Sequence, residues 1–403
     1  MNKIVKLDYR HNIEDINNKL YSLQFLPEVI KTITNSKVFI FNEKTLKTNY
    51  IVDIVHNLLL KYYFKKNNNF ILNAEVLKDK YGFLYNYYIN YLIYNNIIIL
   101  VSNYKIGYKS RTYSLNESIF NNKIYRYKNY DKVLVRKFKS KFIDISSYNE
   151  WIDIDVKSKL IDDLFSISID QDRSIFFLDS LKDRNIDVYN RNIYSVECIN
   201  NKHIFYNFDD YGRMHTNFTI LRSFIRKNCL YIDNEEVCEL DISNSQVLFL
   251  AKLMVDSNSK WLDKVELDIF KELVISGRFY DYLMLKFNIS DRKEVKNLVY
   301  KVLFGRNNGN SKPDKFFKNL FPTIHNFIKL YKMENNNYKT LSYELQRMES
   351  NLIFNKIIKN IILLDDNIKV ITVHDSIIFQ SRYKEVVTNI FNNELGKIIR
   401  NIV

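Results

Sequence analysis

Only 7 glycines and 3 prolines punctuate 403 residues that are 46% hydrophobic and 15% aromatic. Glycine and proline are the strongest local breakers of regular structure. A chain this poor in them is not collagen-like, low-complexity or wholly disordered. Its apolar content can fill cores for two or three domains. Cys198, Cys229 and Cys238 form no CxxC pair, so neither a zinc site nor a disulfide framework is expected, and a reducing compartment is. The first fifteen residues carry charge throughout, with no apolar segment among them, and no charge-free run of about 18 residues is apolar enough to span a bilayer. The expectation is a cytoplasmic protein with no targeting signal and no membrane partner.

Positive charge is confined to one end. Residues 1–141 hold 24 Lys or Arg and 10 Asp or Glu, which is the whole excess of +14, and the remainder is balanced. Within 101–141, 11 basic residues meet 2 acidic ones, interleaved with Tyr104, Tyr108, Tyr113, Tyr125, Tyr127 and Tyr130. Cations attract phosphates and bases stack on rings, so this stretch suggests a nucleic-acid surface. A solvated face of a lysine-rich chain is the competing explanation. Asn73 is placed to cap a helix over 74–80 that Tyr81-Gly82 ends, and a second helix is predicted over about 84–94, with Leu84, Tyr88, Tyr91 and Leu92 on one face. Strands are predicted over 97–104 and 110–115, on either side of Lys105-Ile106-Gly107. Helix, turn, helix and two-stranded wing together resemble a winged helix, whose wing carries Lys105, Lys109 and Arg111 as nucleic-acid contacts. An inert helix–hairpin packing module is the alternative. Residues 144–187 turn acidic and mostly helical by pattern, and 200–209 looks irregular.

The chemistry is expected in the second half. Residues 238–242 (CELDI) form a strand-like run leading into an apolar helix over 245–254. Asp241 therefore stands where a strand hands over to a helix, a place where a side chain can face a cleft. Residues 368–379 (IKVITVHDSIIF) are two apolar strands folded about His374-Asp375. Ordinary hairpins turn on Asn-Gly or Asp-Gly, so a carboxylate at the tip of a buried hairpin is unusual. Two Asp from two strands can bind a pair of Mg²⁺ ions about 4 Å apart, although each alone is better explained as a strand-end cap or turn residue. Between them lies DRKEVKNLVYKVLFG over 291–305. Arg292, Lys296, Tyr300 and Phe304 recur every four residues along one face of a helix. Ser290 or Asp291 is expected to cap it, and Gly305 to end it in the left-handed region. Two cations followed by two rings suit the phosphates, sugar and base of a nucleoside triphosphate. An amphipathic helix with long-stemmed cations is the plainer reading.

Arg-x3-Lys-x3-Tyr-x3-Phe-Gly resembles the fingers-helix motif of family A polymerases, which include DNA polymerase I-like enzymes and the single-subunit phage and mitochondrial RNA polymerases. Residues 241–246 (DISNSQ) are similar to that family's first palm motif and 373–376 (VHDS) to its last. Residues 212–216 (GRMHT) are similar to its Gly-Arg segment, and 316–331 to the fingers segment that follows the helix. The resemblance covers about 205–385; the N-terminal half matches nothing in that family.

It implies a right-hand polymerase of palm, fingers and thumb, and with the N-terminal pattern read above the expected fold is α+β, this body standing behind a mainly helical, winged-helix-like N-terminal module. The expected divisions are a basic module over 1–141 with the winged-helix-like unit at about 70–116, a thumb-like region over 142–200, palm over 201–260 and 365–403, and fingers over 261–364. The implied roles are Asp241 and Asp375 as metal ligands for two Mg²⁺ ions, with Mn²⁺ the alternative ion. Arg292 binds the outer phosphates, and Lys296 the inner ones, serving also as general acid. Tyr300 stacks on the incoming base, Phe304 and Gln246 flank the nucleotide, and Arg213, His215, His374 and Gln346 touch primer–template.

Gln246 stands where the family's DNA polymerases carry Glu, keeping the reach that blocks a ribose 2′-OH without the charge. Phe304, in place of a Tyr hydroxyl that helps select ribose, and Tyr300 favour a DNA product; Ser376, in place of an acidic residue, favours RNA. No proofreading exonuclease motif is seen, and Asp365-Asp366 is expected to be the turn before the last hairpin. The implied function is a DNA-directed DNA polymerase taking nucleoside triphosphates and primer–template DNA. A single-subunit RNA polymerase and a non-catalytic winged-helix DNA-binding protein are the alternatives.

Overall fold

The computed structural model is an α+β chain of many helices and six small antiparallel sheets among the described residues. It describes residues 21–403 except 66–67, 105–109, 121–123, 141–150, 183, 205, 308–310 and 335–336. The described residues fall into two compact units. One is drawn from Met1–Ser146, Ile167–Phe205 and Ile220–Leu230, the other from Ser147–Ser166, Tyr206–Thr219 and Tyr231–Val403. The stretch 142–200 is thus shared between the two: helix Ile154–Leu164 belongs to the second unit, and helices Gln171–Lys182 and Ile186–Asn200 to the first. No described helix is long and apolar enough to cross a membrane.

The first unit is organised around α1 (Thr48–Lys65). Its Ile51, Val52, Ile54, Val55, Leu58 and Leu59 are all buried, and a helix apolar on so many sides must be covered on most of them. Strand β1 (Ser22–Pro27) is one cover; it pairs antiparallel with a later strand, Ile124–Asn129. After β2 (Phe70–Ile71), α2 (Ala74–Tyr81) begins at Asn73, whose Oδ1 accepts from the N–H of Glu75 at 2.8 Å and of Val76 at 3.3 Å. It ends at Gly82, φ +78°. Next come α3 (Tyr85–Tyr94), β3 (Ile98–Ser102) and β4 (Thr112–Leu115), and β4 pairs with both β2 and β3. Helix, turn, helix and hairpin are present in that order, and the hairpin gains a short third strand.

Asp53 is buried on α1 and accepts from Gln24 Nε2 at 2.7 Å and Tyr81 OH at 2.5 Å, and it pairs with Lys80. Through this one carboxylate β1 and α2 are pinned to the central helix.

The tyrosines of the basic stretch do not all face outward. In β5 (Ile124–Asn129) Tyr125 and Tyr127 pack against the core, Tyr127 OH donating to Asn49 Oδ1 at 2.6 Å, while Arg126 and Lys128 are exposed. Tyr113 is also buried, whereas Tyr104 and Tyr130 are exposed. The expected platform of interleaved rings is therefore corrected for Tyr113, Tyr125 and Tyr127. Strand periodicity of two sends alternate residues to opposite faces, and the rings took the buried one. Tyr108, Lys105 and Lys109 lie outside the described residues.

The second unit begins with α4 (Ile154–Leu164) and the hairpin β6 (Tyr206–Phe208) with β7 (Met214–Thr216), so part of the 200–209 stretch, expected to be irregular, is a strand. Strand β8 (Val237–Asp241) passes through Asn244, φ +59°, into α5 (Ser245–Ser257). Five helices follow: α6 (Lys264–Ile275), α7 (Phe279–Phe287), α8 (Arg292–Phe304), α9 (Lys312–Leu320) and α10 (Pro322–Glu334). Phe270, Phe279, Phe317 and Phe321 form a buried ring cluster among them. Helix α11 (Thr340–Asn351) runs into a π-helical stretch, Leu352–Ile358. Asp365 lies in the turn leading to β9 (Val370–Val373) and β10 (Ser376–Gln380), every residue of which is buried, and α12 (Lys384–Arg400) closes the chain.

Asp163 of α4 is fully buried. It pairs with Lys159 Nζ at 2.7 Å and accepts from the N–H of Val370 at 2.8 Å. Burial pushes its carboxyl up to about 6, against the pull of Lys159. A group bound to its proton more tightly when folded adds stability below its unfolded value, near 4, and loses it as pH rises through about 6. Wild-type stability should therefore carry a downward step of about 3 kcal/mol from this group between pH 4 and pH 6. Asp163→Asn should lack it, and urea unfolding of both proteins across that range is the check.

Candidate active site

Three strands build the centre of the second unit in the order β8-β10-β9. Asp241 pairs with Ser376 and Leu240 with Ile377 across β8 and β10, and Val373 pairs with Ser376 across β9 and β10. The turn between β9 and β10 therefore has only two residues at its tip, His374 and Asp375. His374 takes φ +57°, a left-handed conformation uncommon for a side chain of its size. The N–H of Ile242 donates to the carbonyl of Asp375 at 3.2 Å. The two aspartates, remote in sequence, thus stand at neighbouring positions of one sheet, Asp241 exposed and Asp375 half-buried.

Glu349 lies beside this pair. Only 1% of it is exposed. Arg213 donates to its Oε1 from Nη2 at 2.6 Å and Nε at 3.2 Å. Its Oε2 accepts from Ser245 Oγ at 2.8 Å and Gln246 Nε2 at 2.5 Å. Ser245 Oγ is also 3.0 Å from Asp375 Oδ2. Burial pushes the Glu349 carboxyl up, Arg213 pulls it down, and the Asp375 charge adds to the rise. Neither Glu349 nor Ser245 figures among the residues picked from the sequence. The available signal was helical spacing: Leu341, Leu345 and Leu352 are buried on the same helical run, and a carboxylate among such positions is there for a partner.

The hairpin carrying Arg213 is shaped locally. Asp209 Oδ1 accepts from the N–H of Tyr211 and of Arg213, and its Oδ2 lies 2.8 Å from His215 Nε2. Burial raises the Asp209 carboxyl, but these hydrogen bonds outweigh it and hold the group low. His215 and His374 approach edge to face with ring centres 6.3 Å apart. Gly212 has φ +87°, and a Cβ there would collide with the Trp151 ring. No other residue fits before Arg213.

Helix α8 starts at Asp291, whose side chain accepts from the N–H of Lys293 at 2.8 Å. Val295, Val299, Val302 and Leu303 are buried, leaving Arg292 and Lys296 exposed and Tyr300 and Phe304 half-buried. Arg292 pairs with Asp281 at 2.6 Å, Lys296 Nζ lies 5.7 Å from the Tyr300 ring centre, and Tyr300 and Phe304 are 5.3 Å apart. Gly305 is extended, φ −74°, which corrects the expected left-handed cap. Its requirement is space instead: a Cβ would collide with the Lys301 carbonyl. Buried Lys332 of α10 caps the helix, donating to the carbonyls of Val302 at 2.6 Å and Gly305 at 3.0 Å. Burial brings that ammonium down to about 8.

Helix α11 packs against both α5 and α8. Gln346 is half-buried one turn before Glu349, and Tyr343 stacks face to face on Tyr211 at 3.7 Å. In the first unit, Arg111 is exposed just ahead of β4. Among the described residues no three His, Cys, Asp or Glu side chains are grouped to hold a metal.

Arg213→Ala should strand the buried Glu349 charge and cost about 3 kcal/mol in chemical denaturation. Adding Glu349→Gln should recover part of that loss, because the uncompensated charge is then gone.

No known family model matches this chain, and no curated protein matches it.

Proposed function

We propose that this chain is a template-directed nucleotidyltransferase, a DNA-directed DNA polymerase of the family A type with a right-hand catalytic body. The observation that carries the reading is that Asp241 and Asp375 stand at neighbouring backbone positions of one three-stranded sheet. Two carboxylates are the donor set that Mg²⁺ takes when substrate phosphates and water complete its shell. Asp241 and Asp375 would hold the Mg²⁺ (or Mn²⁺), and the bound ion would supply Lewis acidity toward the primer 3′-hydroxyl and charge neutralisation for the triphosphate.

The chain's own groups do the rest. Arg292 binds the outer phosphates and must release Asp281 to do so. Lys296 binds the inner phosphates and protonates the departing pyrophosphate. Tyr300 stacks on the incoming base beside Phe304, and Gln246 lines the sugar. Arg213, His215, His374 and Gln346 steady primer and template. The winged-helix-like part of the first unit and the outward face of β5, with Arg126 and Lys128, add sequence-independent grip on phosphates.

Asp241→Ala or Asp375→Ala should abolish incorporation and leave DNA affinity within about twofold, since duplex affinity rests on phosphate contacts elsewhere. Primer extension with dNTPs or NTPs on DNA and RNA templates checks this. NTP preference in the wild type would make the enzyme an RNA polymerase, and no incorporation would leave a DNA-binding protein. Replacing Arg111 and Lys128 by Gln should flatten the slope of log K against log salt by about 0.9 for each phosphate that is no longer neutralised. An unchanged slope on duplex DNA would take these side chains out of the interface.

A further inference from the structure

Gln246 is neutral where a charged residue was expected, yet it is not without a carboxylate. Its Nε2 donates to Glu349 Oε2 at 2.5 Å, and its own Oε1 is buried with no hydrogen-bond partner. A carboxylate only accepts, so the amide nitrogen must face Glu349. The amide is therefore oriented from one side alone. Glu349 is in turn immobilised by Arg213 and Ser245, and Gln246 itself is 5% exposed.

We propose that Glu349 is the positioning residue for sugar choice: from α11 it locks the Gln246 side chain in place. The inference rests on the polymerase reading. The steric block depends on a contact that Gln246 cannot make alone. Glu349 touches neither substrate nor reacting atoms in this role; it acts through Gln246.

The test is the ratio of kcat/KM for dNTP and NTP in primer extension. Glu349→Ala frees the amide, and the ratio should fall by about tenfold, the worth of one positioning contact. Gln246→Ala should produce a similar fall, and the double variant no more than either alone, because both remove the same constraint. Glu349→Gln should keep the ratio within about twofold while melting at a lower temperature, since two facing amides can always form one hydrogen bond. A merely structural Glu349 would lower activity toward both sugars equally. Should Glu349→Ala not fold, Arg213→Met with Glu349→Met leaves no charge stranded, and the same loss of discrimination is expected. An unchanged ratio in these variants, full additivity with Gln246→Ala, or a wild type indifferent to the sugar overturns the inference with polymerase activity intact. A wild type that incorporates nothing overturns the polymerase reading itself.

Discussion

A carboxylate that is 1% exposed persists only where its charge is answered, and Glu349 is answered from two other segments of the second unit. Arg213 arrives from the edge of β7, while Ser245 and Gln246 are the first two residues of α5. Asn244 makes no side-chain cap to α5, and the Glu349 carboxylate meets the side chains of the helix's first two residues, at the end where the helix dipole is positive. Buried ion pairs contribute little net stability, because desolvation offsets attraction. What this one supplies is uniqueness of arrangement for hairpin, α5 and α11, and Asp375 competes with Glu349 for the single Ser245 hydroxyl proton.

Irregular backbone gathers around the same place. His374 is left-handed at the hairpin tip, Asn244 is left-handed where β8 hands over to α5, and the π-helical stretch begins three residues after Glu349. Each departs from the cheapest conformation by roughly a kcal/mol or more. Left-handed non-glycine residues and π-bulges are over-represented at functional sites because only strong surrounding contacts maintain them. Here those contacts are the fully buried β9 and β10 and the polar cluster on Glu349.

Elements with local signatures were legible in the sequence. Asn73 and Gly82 bound α2, Asp291 opens α8, and the apolar runs about His374-Asp375 are β9 and β10. The adjacency of Asp241 and Asp375 followed from two strand readings plus a resemblance to a known palm. What stayed hidden depends on partners far along the chain. Glu349 looks like any helical glutamate until Arg213 is brought to it. The facing of Tyr125 and Tyr127 depends on which side of β5 meets the core, and composition carries no side. Helices Gln171–Lys182 and Ile186–Asn200 join the first unit by packing, with no change in charge or punctuation to mark it. Gly305 was chosen for space, where its position after a helix suggested a torsion.

Lys332 gives α8 a property that its own residues do not. The last carbonyls of the helix rest on an ammonium rooted in α10, in a place where burial has already made that charge costly to keep. Were α8 to swing alone, the ammonium would lose both acceptors without gaining water. The helix bearing Arg292 and Lys296 is therefore geared to α10, and a stroke that brings those cations toward a phosphate chain must move the two helices as one lever.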